Sequence, residues 1–290
     1  MNGQSTGRRR TPVRLQVFRT EHLTPHVIRV VLGGAGFAAF KPNEFTDMYV
    51  KLQFPPAGTD YPEPYDVEAI RRDLPPEQWP KQRSYTVRAY DLDAGELTID
   101  FVYHGDAGVA GPWAAGAKPG DPLVLLGPGG AYAPSPEADW HLLVGDEAAL
   151  PAIAASLEAM SAGARVRAII QVANEAEEQK IHTAADAEIT WLHRDTGEDT
   201  GEDTGKADVG EVVRSLEFPP GRVQAFVHGD AGFVMPLRRF LLDERGVEPE
   251  LLSLSGYWRR GRTDEQWRKE KREMRRREEE AREQGIQPGH

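Results

Sequence analysis

Hydrophobic and polar residues alternate in short segments through the first half of the chain. Residues 48–54 and 97–103 alternate in this way, and residues 27–32 form a β-branched run. Gly, Pro, Asn and Asp separate these segments, and the pattern predicts short antiparallel strands of a β-barrel or sandwich. The six predicted strands are 13–17, 27–32, 48–54, 84–90, 97–103 and 123–126.

The second half has a different pattern, in which apolar strands alternate with helical segments. Residues 140–145 are an apolar run, and residues 148–162 place Leu150, Ile153 and Leu157 on one helical face. Alternation of this kind predicts a parallel sheet with crossover helices. The predicted strands are 140–145, 165–172, 188–192 and 223–228, and the predicted helices are 148–162, 209–216 and 233–245.

These patterns divide the chain into a β domain, an α/β domain and a charged C-terminal helix. The predicted boundaries are 1–134, 135–257 and 258–290. Residues 262–283 have few apolar positions besides Trp267 and Met274, a stripe too thin for a coiled-coil seam. We therefore expect this helix to lie along the body of the protein through Trp267.

Composition excludes several classes of function. The 290 residues include no cysteine, which rules out a disulfide framework, a thiolate-held cluster and a cysteine nucleophile. The net charge of −11 argues against nucleic-acid partners and anionic membranes. That charge is uneven, because residues 258–290 carry eleven basic and eight acidic side chains.

The sequence indicates neither an export signal nor a metal site. No apolar run follows Arg8, Arg9 and Arg10, so we expect a cytoplasmic protein without membrane insertion. The acidic repeat 195–205 resembles a calcium loop, but a strand precedes it and we predict a flexible insertion. The histidines are scattered, which predicts no metal site.

One predicted strand combines an aromatic ring, hydroxyl groups and two guanidinium groups. Such a set suits a planar cofactor that carries phosphates, since rings stack on rings and arginine forks match phosphate oxygens. An exposed strand with scattered charge is the alternative. Alternation places Arg83, Tyr85 and Val87 on one side of this strand and Ser84, Thr86 and Arg88 on the other.

A glycine-rich turn strengthens the cofactor interpretation. The strand at 97–103 runs into Gly105 and Gly108, and a short helix is predicted to follow, ending near Ala117. Backbone N–H groups at such a helix start can bind an anion.

Together these segments resemble the siderophore-interacting protein family, the flavin-dependent ferric-siderophore reductases of the ferredoxin–NADP reductase superfamily. The resemblance extends from about residue 13 to about residue 271. It implies a Greek-key β-barrel flavin domain followed by a Rossmann-like domain. The motifs that carry it are 83–88, 100–113, 145–153 and 255–262.

The family implies roles in FAD binding for the first two motifs. Tyr85 would stack on the isoalloxazine, Thr86 would lie near its N5, and Arg83 would meet the pyrophosphate; Tyr85 and Thr86 are the predicted catalytic residues. The chain departs from the family at 108–111, where a hydroxyl is lost and the Gly111 N–H remains. The implied FAD contacts are Arg83, Ser84, Tyr85, Thr86, Val87, Arg88, Asp100, Val102, His104, Ala110, Gly111 and Trp113.

The second half would bind the nicotinamide dinucleotide. Ligands of such sheets lie at the carboxyl ends of the strands, at the switch point. Arg194 would suit a 2′-phosphate and Glu175 a ribose hydroxyl, so both NADPH and NADH stay open. The implied dinucleotide contacts are Gly145, Asp146, Glu147, Gly229 and Asp230.

The substrate would be an anionic ferric siderophore, attracted by Lys51 and Arg259 near the flavin. The implied activity is NAD(P)H-dependent, FAD-mediated reduction of that chelate by a monomer. Two alternatives are a ferredoxin- or flavodoxin-type reductase with a protein partner and a siderophore-binding protein without turnover.

Overall fold

A computed structural model describes residues 11–62, 65–194 and 208–283 of the chain. The first half is an antiparallel seven-stranded sheet in the order β4-β3-β7-β1-β2-β6-β5. The acidic repeat 195–205 lies outside the described residues. The elements of this half are β1 (Val13–Thr24), β2 (Val27–Gly33), β3 (Tyr49–Phe54), α1 (Val67–Asp73), β4 (Lys81–Thr86), β5 (Ala89–Asp91), β6 (Glu96–Val102), α2 (Ala110–Gly116) and β7 (Pro122–Gly129).

The two edges of this sheet meet at Val87 and Arg88. The Val87 N–H donates to the carbonyl of Met48 over 2.7 Å, whereas the Arg88 N–H donates to the carbonyl of Thr98 over 2.9 Å. One chain segment thus passes from pairing with β3 to pairing with β6. The strand predicted at 84–90 is therefore two strands, because the backbone changes partners in its middle.

Alternating side chains form the core of the first half. Leu15, Val30, Leu52 and Phe101 are fully buried, whereas Arg14 and Gln16, which alternate with the buried positions of β1, are exposed. This is the arrangement that the period of two predicts, and it confirms the expected antiparallel β domain.

The second half is a parallel five-stranded sheet in the order β10-β9-β8-β11-β12, and it confirms the expected α/β fold. The order reverses beside β8, so the switch point lies between β8 and β11. The fifth strand, β12, was not predicted. The elements are β8 (Trp140–Asp146), α3 (Leu150–Ala159), β9 (Arg165–Val172), β10 (Asp186–His193), α4 (Val209–Ser215), β11 (Val223–Asp230), α5 (Ala231–Arg239) and β12 (Leu252–Trp258).

The C-terminal helix α6 (Asp264–Glu283) packs back onto the body of the protein. A capping box starts it, since Thr263 Oγ1 accepts from the Gln266 N–H and Gln266 Oε1 accepts from the Thr263 N–H. Trp267 is buried, and its Nε1 donates to the carbonyl of Gly256 over 3.2 Å. The predicted contact through Trp267 is confirmed.

Candidate functional site

A cavity of about 820 Å³ lies between the two halves of the protein and under α6. The β domain supplies one wall, the carboxyl ends of β8, β11 and β12 supply another, and α6 supplies a third. Residues far apart in the chain thus face one space. The position matches the crevice expected of a sheet with this strand order.

The wall from the β domain holds many of the predicted flavin residues. Tyr85 is the central ring of this wall, and it packs on Phe101 with ring centroids 4.5 Å apart. Burial raises the pKa of Tyr85, so its hydroxyl stays protonated. The predicted residues that line the cavity here are Lys51, Arg83, Ser84, Tyr85, Thr86, Asp100, Val102 and His104.

Arg83 is held by carboxylates of the C-terminal helix. Its guanidinium lies 3.1 Å from Asp264 and 2.9 Å from Glu265, and it also donates to the carbonyl of Gln82. The side chain predicted to meet a pyrophosphate therefore already binds two anionic groups of the same chain.

Two members of the 83–88 motif do not line the cavity. Val87 is buried in the core of the β domain. Arg88 donates two hydrogen bonds to Glu158 on α3, and its Nε lies 4.0 Å from Asp100. Asp100 itself accepts two hydrogen bonds from Arg29, at 2.7 and 2.8 Å. Arg88 and Asp100 thus belong to an ion-pair network that joins the two halves.

The segment around α2 supports the cavity wall from behind. Ala110 is buried, and the Trp113 ring packs on Phe101 with centroids 5.6 Å apart. A Cβ on Gly111 would lie 3.0 Å from the carbonyl oxygen of Val102, so the close approach of α2 to β6 requires glycine. These three predicted FAD contacts do not line the cavity.

Asp146 connects the ends of the two central strands of the parallel sheet. Its carboxylate accepts from the N–H groups of Ala148 and Asp230 and from the indole Nε1 of Trp258, at 2.9, 2.8 and 2.8 Å. Burial and the neighbouring Glu147 raise the pKa of Asp146 to about 6, while the three donors act in the opposite direction. Asp146 is therefore engaged with the protein at the switch point.

Glycine is required beside this carboxylate. Gly229 has φ of +135°, and a Cβ there would lie 2.6 Å from Asp146 Oδ2. Gly145 is similarly crowded, because a Cβ would lie 2.6 Å from the Cβ of Ala149. Asp230 caps α5 by accepting from the Gly232 N–H. Gly145, Asp146, Gly229 and Asp230 shape the crevice without lining the cavity.

Glu147 and Arg194 line the cavity as an ion pair. The Arg194 guanidinium donates to both carboxylate oxygens of Glu147, whose side chain is buried. Arg194 directly follows β10, and Glu147 directly follows β8, so the pair joins two strand ends. Arg194, which the sequence suggests for binding a 2′-phosphate, therefore already has a carboxylate partner in Glu147.

The two predicted substrate residues lie in different places. Lys51 lines the cavity from β3. Arg259 does not line it; its side chain is 50% exposed and lies 3.5 Å from Glu270 on α6. The structure therefore does not bring Lys51 and Arg259 together in one wall.

Several cavity residues were missed by sequence reasoning. His228 lies near the carboxyl end of β11 with its ring stacked on Phe226 at 3.8 Å, and its Nε2 lies 2.9 Å from Ser253 Oγ on β12. Burial and the nearby Lys271 lower the pKa of His228 to about 3, so the ring is neutral.

The cavity face of α6 was also missed, although the sequence carried a signal. Its members recur at helical spacing around the buried Trp267, which marks the inward face. These residues are Asp264, Trp267, Arg268, Lys271 and Arg275.

Within the described ranges, no group of three or more histidine and carboxylate side chains is placed to hold a metal ion. In the same residues, no helix combines the length and apolar character needed to cross a membrane.

An antiparallel β domain joined to a parallel α/β domain, with a shared cavity, is the ferredoxin reductase-like class of fold. Solved ferredoxin reductases only 18% and 11% identical to this chain have the same fold. Two family models match: a siderophore-interacting FAD-binding domain over residues 16–132, and a siderophore-interacting protein model over residues 138–261. The chain therefore belongs to the siderophore-interacting protein family.

Relatives of the chain agree with this assignment. It is 48% identical to an uncharacterised protein of Mycobacterium tuberculosis, over 89% of this chain and 94% of that protein. It is 30% identical to the ferric vibriobactin reductase ViuB of Vibrio cholerae, over 90% of this chain and 94% of that protein. A crystal structure of a siderophore utilization protein from T. fusca matches with a TM-score of 0.72 and 39% identity, covering 87% of this chain and 94% of that one.

Proposed function

We propose that this protein is an FAD-dependent reductase that takes electrons from NADPH or NADH and passes them to the iron of a ferric siderophore. The observation that carries the proposal is the single cavity that joins Tyr85 and Thr86 to the strand ends of the α/β domain. The name of its relative ViuB, a ferric vibriobactin reductase, supports the same reaction class.

The cavity wall fits a flavin. Phe101 supports Tyr85 from behind, so the tyrosine ring is fixed in place to stack against a planar ring system. Thr86 is buried beside it and lines the same wall, where its hydroxyl can donate or accept a hydrogen bond. The chemistry that a bound FAD would supply is uptake of two electrons from a nicotinamide, followed by release of single electrons.

Arg83 is the residue best suited to hold the flavin phosphates. Its guanidinium lines the cavity and already binds carboxylates, which have the same fork geometry as phosphate oxygens. Asp264 and Glu265 therefore occupy the positions that phosphate oxygens would take at this arginine.

The α/β domain would present the nicotinamide dinucleotide. Asp146 fixes the ends of β8 and β11 through its hydrogen bonds, and the neighbouring Glu147 and Arg194 line the cavity. Arg194 could exchange its carboxylate partner for a 2′-phosphate, which supports NADPH, whereas NADH needs no such exchange.

The ferric substrate would enter the same cavity, with Lys51 as one of its positive groups. Ionic attraction between an anionic chelate and basic side chains raises the local concentration of substrate. The proposal includes iron release in the cytoplasm by a monomer, as the sequence leads us to expect.

The test starts from purified protein incubated with FAD. We expect flavin absorbance to persist after gel filtration and to bleach anaerobically on addition of NADPH or NADH. Addition of a ferric siderophore should restore the absorbance and form a ferrous complex with a ferrous-specific dye. A protein that retains no FAD would overturn the proposal. Chelate binding without ferrous iron would identify a binding protein, and faster oxidation by a ferredoxin would identify a reductase with a protein partner.

A further inference from the structure

The α6 wall of the cavity carries two cations that lack a carboxylate partner among the described residues. Lys271 donates from Nζ to Ser255 Oγ over 2.7 Å and to the carbonyl of Gly256 over 2.9 Å, and both acceptors are neutral. Arg275 lies one helical turn further on and lines the same cavity. By contrast, Arg268 lies 2.9 Å from Asp264.

Other arginines of the cavity are neutralised by acids. Arg83 pairs with Asp264 and Glu265, and Arg194 pairs with Glu147. Charge compensation across the cavity is thus uneven, and the excess of positive charge concentrates at Lys271 and Arg275.

The remaining acids that line the cavity are also engaged elsewhere. Asp47 accepts from the N–H groups of Ala131 and Tyr132, at 2.8 and 2.9 Å, and Asp100 is bound by Arg29. Neither carboxylate forms an ion pair with Lys271 or Arg275. No described acid of the cavity therefore satisfies the two cations.

Lys271 and Arg275 also repel each other. They are four residues apart and so lie on one face of α6, where like charges are unfavourable. Burial and the charge of Arg275 lower the pKa of Lys271 to about 8, which still leaves the ammonium protonated at pH 7. A bound anion would reduce this repulsion, and it would replace the water that burial removes from the Lys271 ammonium.

We propose that Lys271 and Arg275 form an anion subsite on the cavity face of α6. Its ligand is a multiply charged group, either the phosphate oxygens of a nucleotide or the anionic oxygens of a ferric chelate. The inference rests on the proposed function, and it assigns to α6 the contribution that the sequence had given to Arg259. Arg259 lies outside this wall, whereas Lys51, Lys271 and Arg275 line one cavity.

The experiment compares charge-removing variants by direct binding, without turnover. Lys271→Gln and Arg275→Gln keep a hydrogen-bond donor and remove the charge, and Arg272→Gln is a matched control on the exposed side of the same helix. The probes are inorganic pyrophosphate, a ferric tris-catecholate and an uncharged ferric trihydroxamate. Binding is followed by quenching of Trp258 and Trp267 fluorescence, since both rings line the cavity.

We expect Lys271→Gln and Arg275→Gln each to weaken tris-catecholate or pyrophosphate binding about tenfold, and the double variant to weaken it further. The control Arg272→Gln should change the binding less than about twofold. Loss for the tris-catecholate identifies the chelate as the source of the anion, and loss for pyrophosphate alone identifies the nucleotide. Equal loss for the uncharged trihydroxamate, or no loss for either anion, would overturn the subsite. Failure of the proposed function can be distinguished from failure of the subsite, because it appears in the unmodified protein as the absence of FAD binding or of ferrous iron.

Discussion

The Arg88 guanidinium of the β domain donates two hydrogen bonds to the Glu158 carboxylate of the α/β domain, at 2.5 and 2.8 Å. This contact joins the two halves of the protein at the edge of the 83–88 motif. Arg88 therefore links the two domains, and its predicted contact with FAD stays a prediction.

The Glu158→Gln variant tests the strength of this connection. Arg88 is 13% exposed and Glu158 is 36% exposed, so solvent screens the pair in part, and we expect a loss of about 1 kcal/mol in the free energy of unfolding. Urea unfolding measures it. Arg72→Gln removes the exposed pair with Asp73 and should leave stability unchanged. Equal effects of the two variants would contradict a special role for Arg88 and Glu158.

The Gly229→Ala variant tests the construction of the switch point. The left-handed φ and the close approach to Asp146 both oppose a side chain, and we expect a loss of about 3 kcal/mol. Displacement of Asp146 should also shift the emission of Trp258, whose indole donates to it. Gly163→Ala is the control: its φ is +82° but its Cβ would meet nothing within 4 Å, so about 1 kcal/mol is expected. The idea fails if Gly163→Ala is the more damaging change.

The buried His228 predicts a specific dependence of stability on pH. Its pKa is lowered to about 3 by burial and by Lys271, so the unfolded chain takes up a proton that the folded protein excludes. The contribution to stability is complete above the ordinary histidine pKa of about 6.5 and is lost as the pH falls below it. The loss reaches about tenfold in the unfolding equilibrium per pH unit.

His228→Gln should therefore lower the acid sensitivity of folding between pH 6.5 and 4, since glutamine does not titrate and can still bond Ser253. Urea titrations at several pH values provide the measurement. His22→Gln, which removes an exposed histidine, is the comparison variant. Parallel pH profiles of His228→Gln and the unmodified protein would count against this explanation.

The first turn of α6 should compete with FAD for Arg83. Asp264→Asn with Glu265→Gln removes both carboxylates from the guanidinium, and we expect FAD to bind several-fold more tightly. Titration followed by flavin fluorescence measures the affinity. Glu279→Gln, an exposed change on the same helix, should have no effect. Weaker FAD binding in the double variant would show that the carboxylates support the site instead.

Much of the architecture could be predicted because it depends on local periodicity. Alternation around residues 48–54 and 97–103 determines which apolar side chains of β3 and β6 face the core, and the structure buries these side chains as predicted. The break between β4 and β5 was not predictable, because Val87 and Arg88 take partners on different strands. The strand β12 was missed since a short segment with two serines and a glycine has weak β propensity, and pairing with β11 decides its conformation.

In the candidate site, too, some features follow from the sequence and others depend on tertiary structure. The sequence by itself determined the two domain types, the family motifs and the residues Arg83 to Thr86 that line the cavity. Tertiary structure alone decided that Arg88 joins the domains, that Asp146 accepts three protein hydrogen bonds, and that the inward face of α6 lies against the cavity. The reason is physical: periodicity and turn chemistry act over a few residues, whereas ion pairs and cavity walls depend on which distant segments the fold brings into contact.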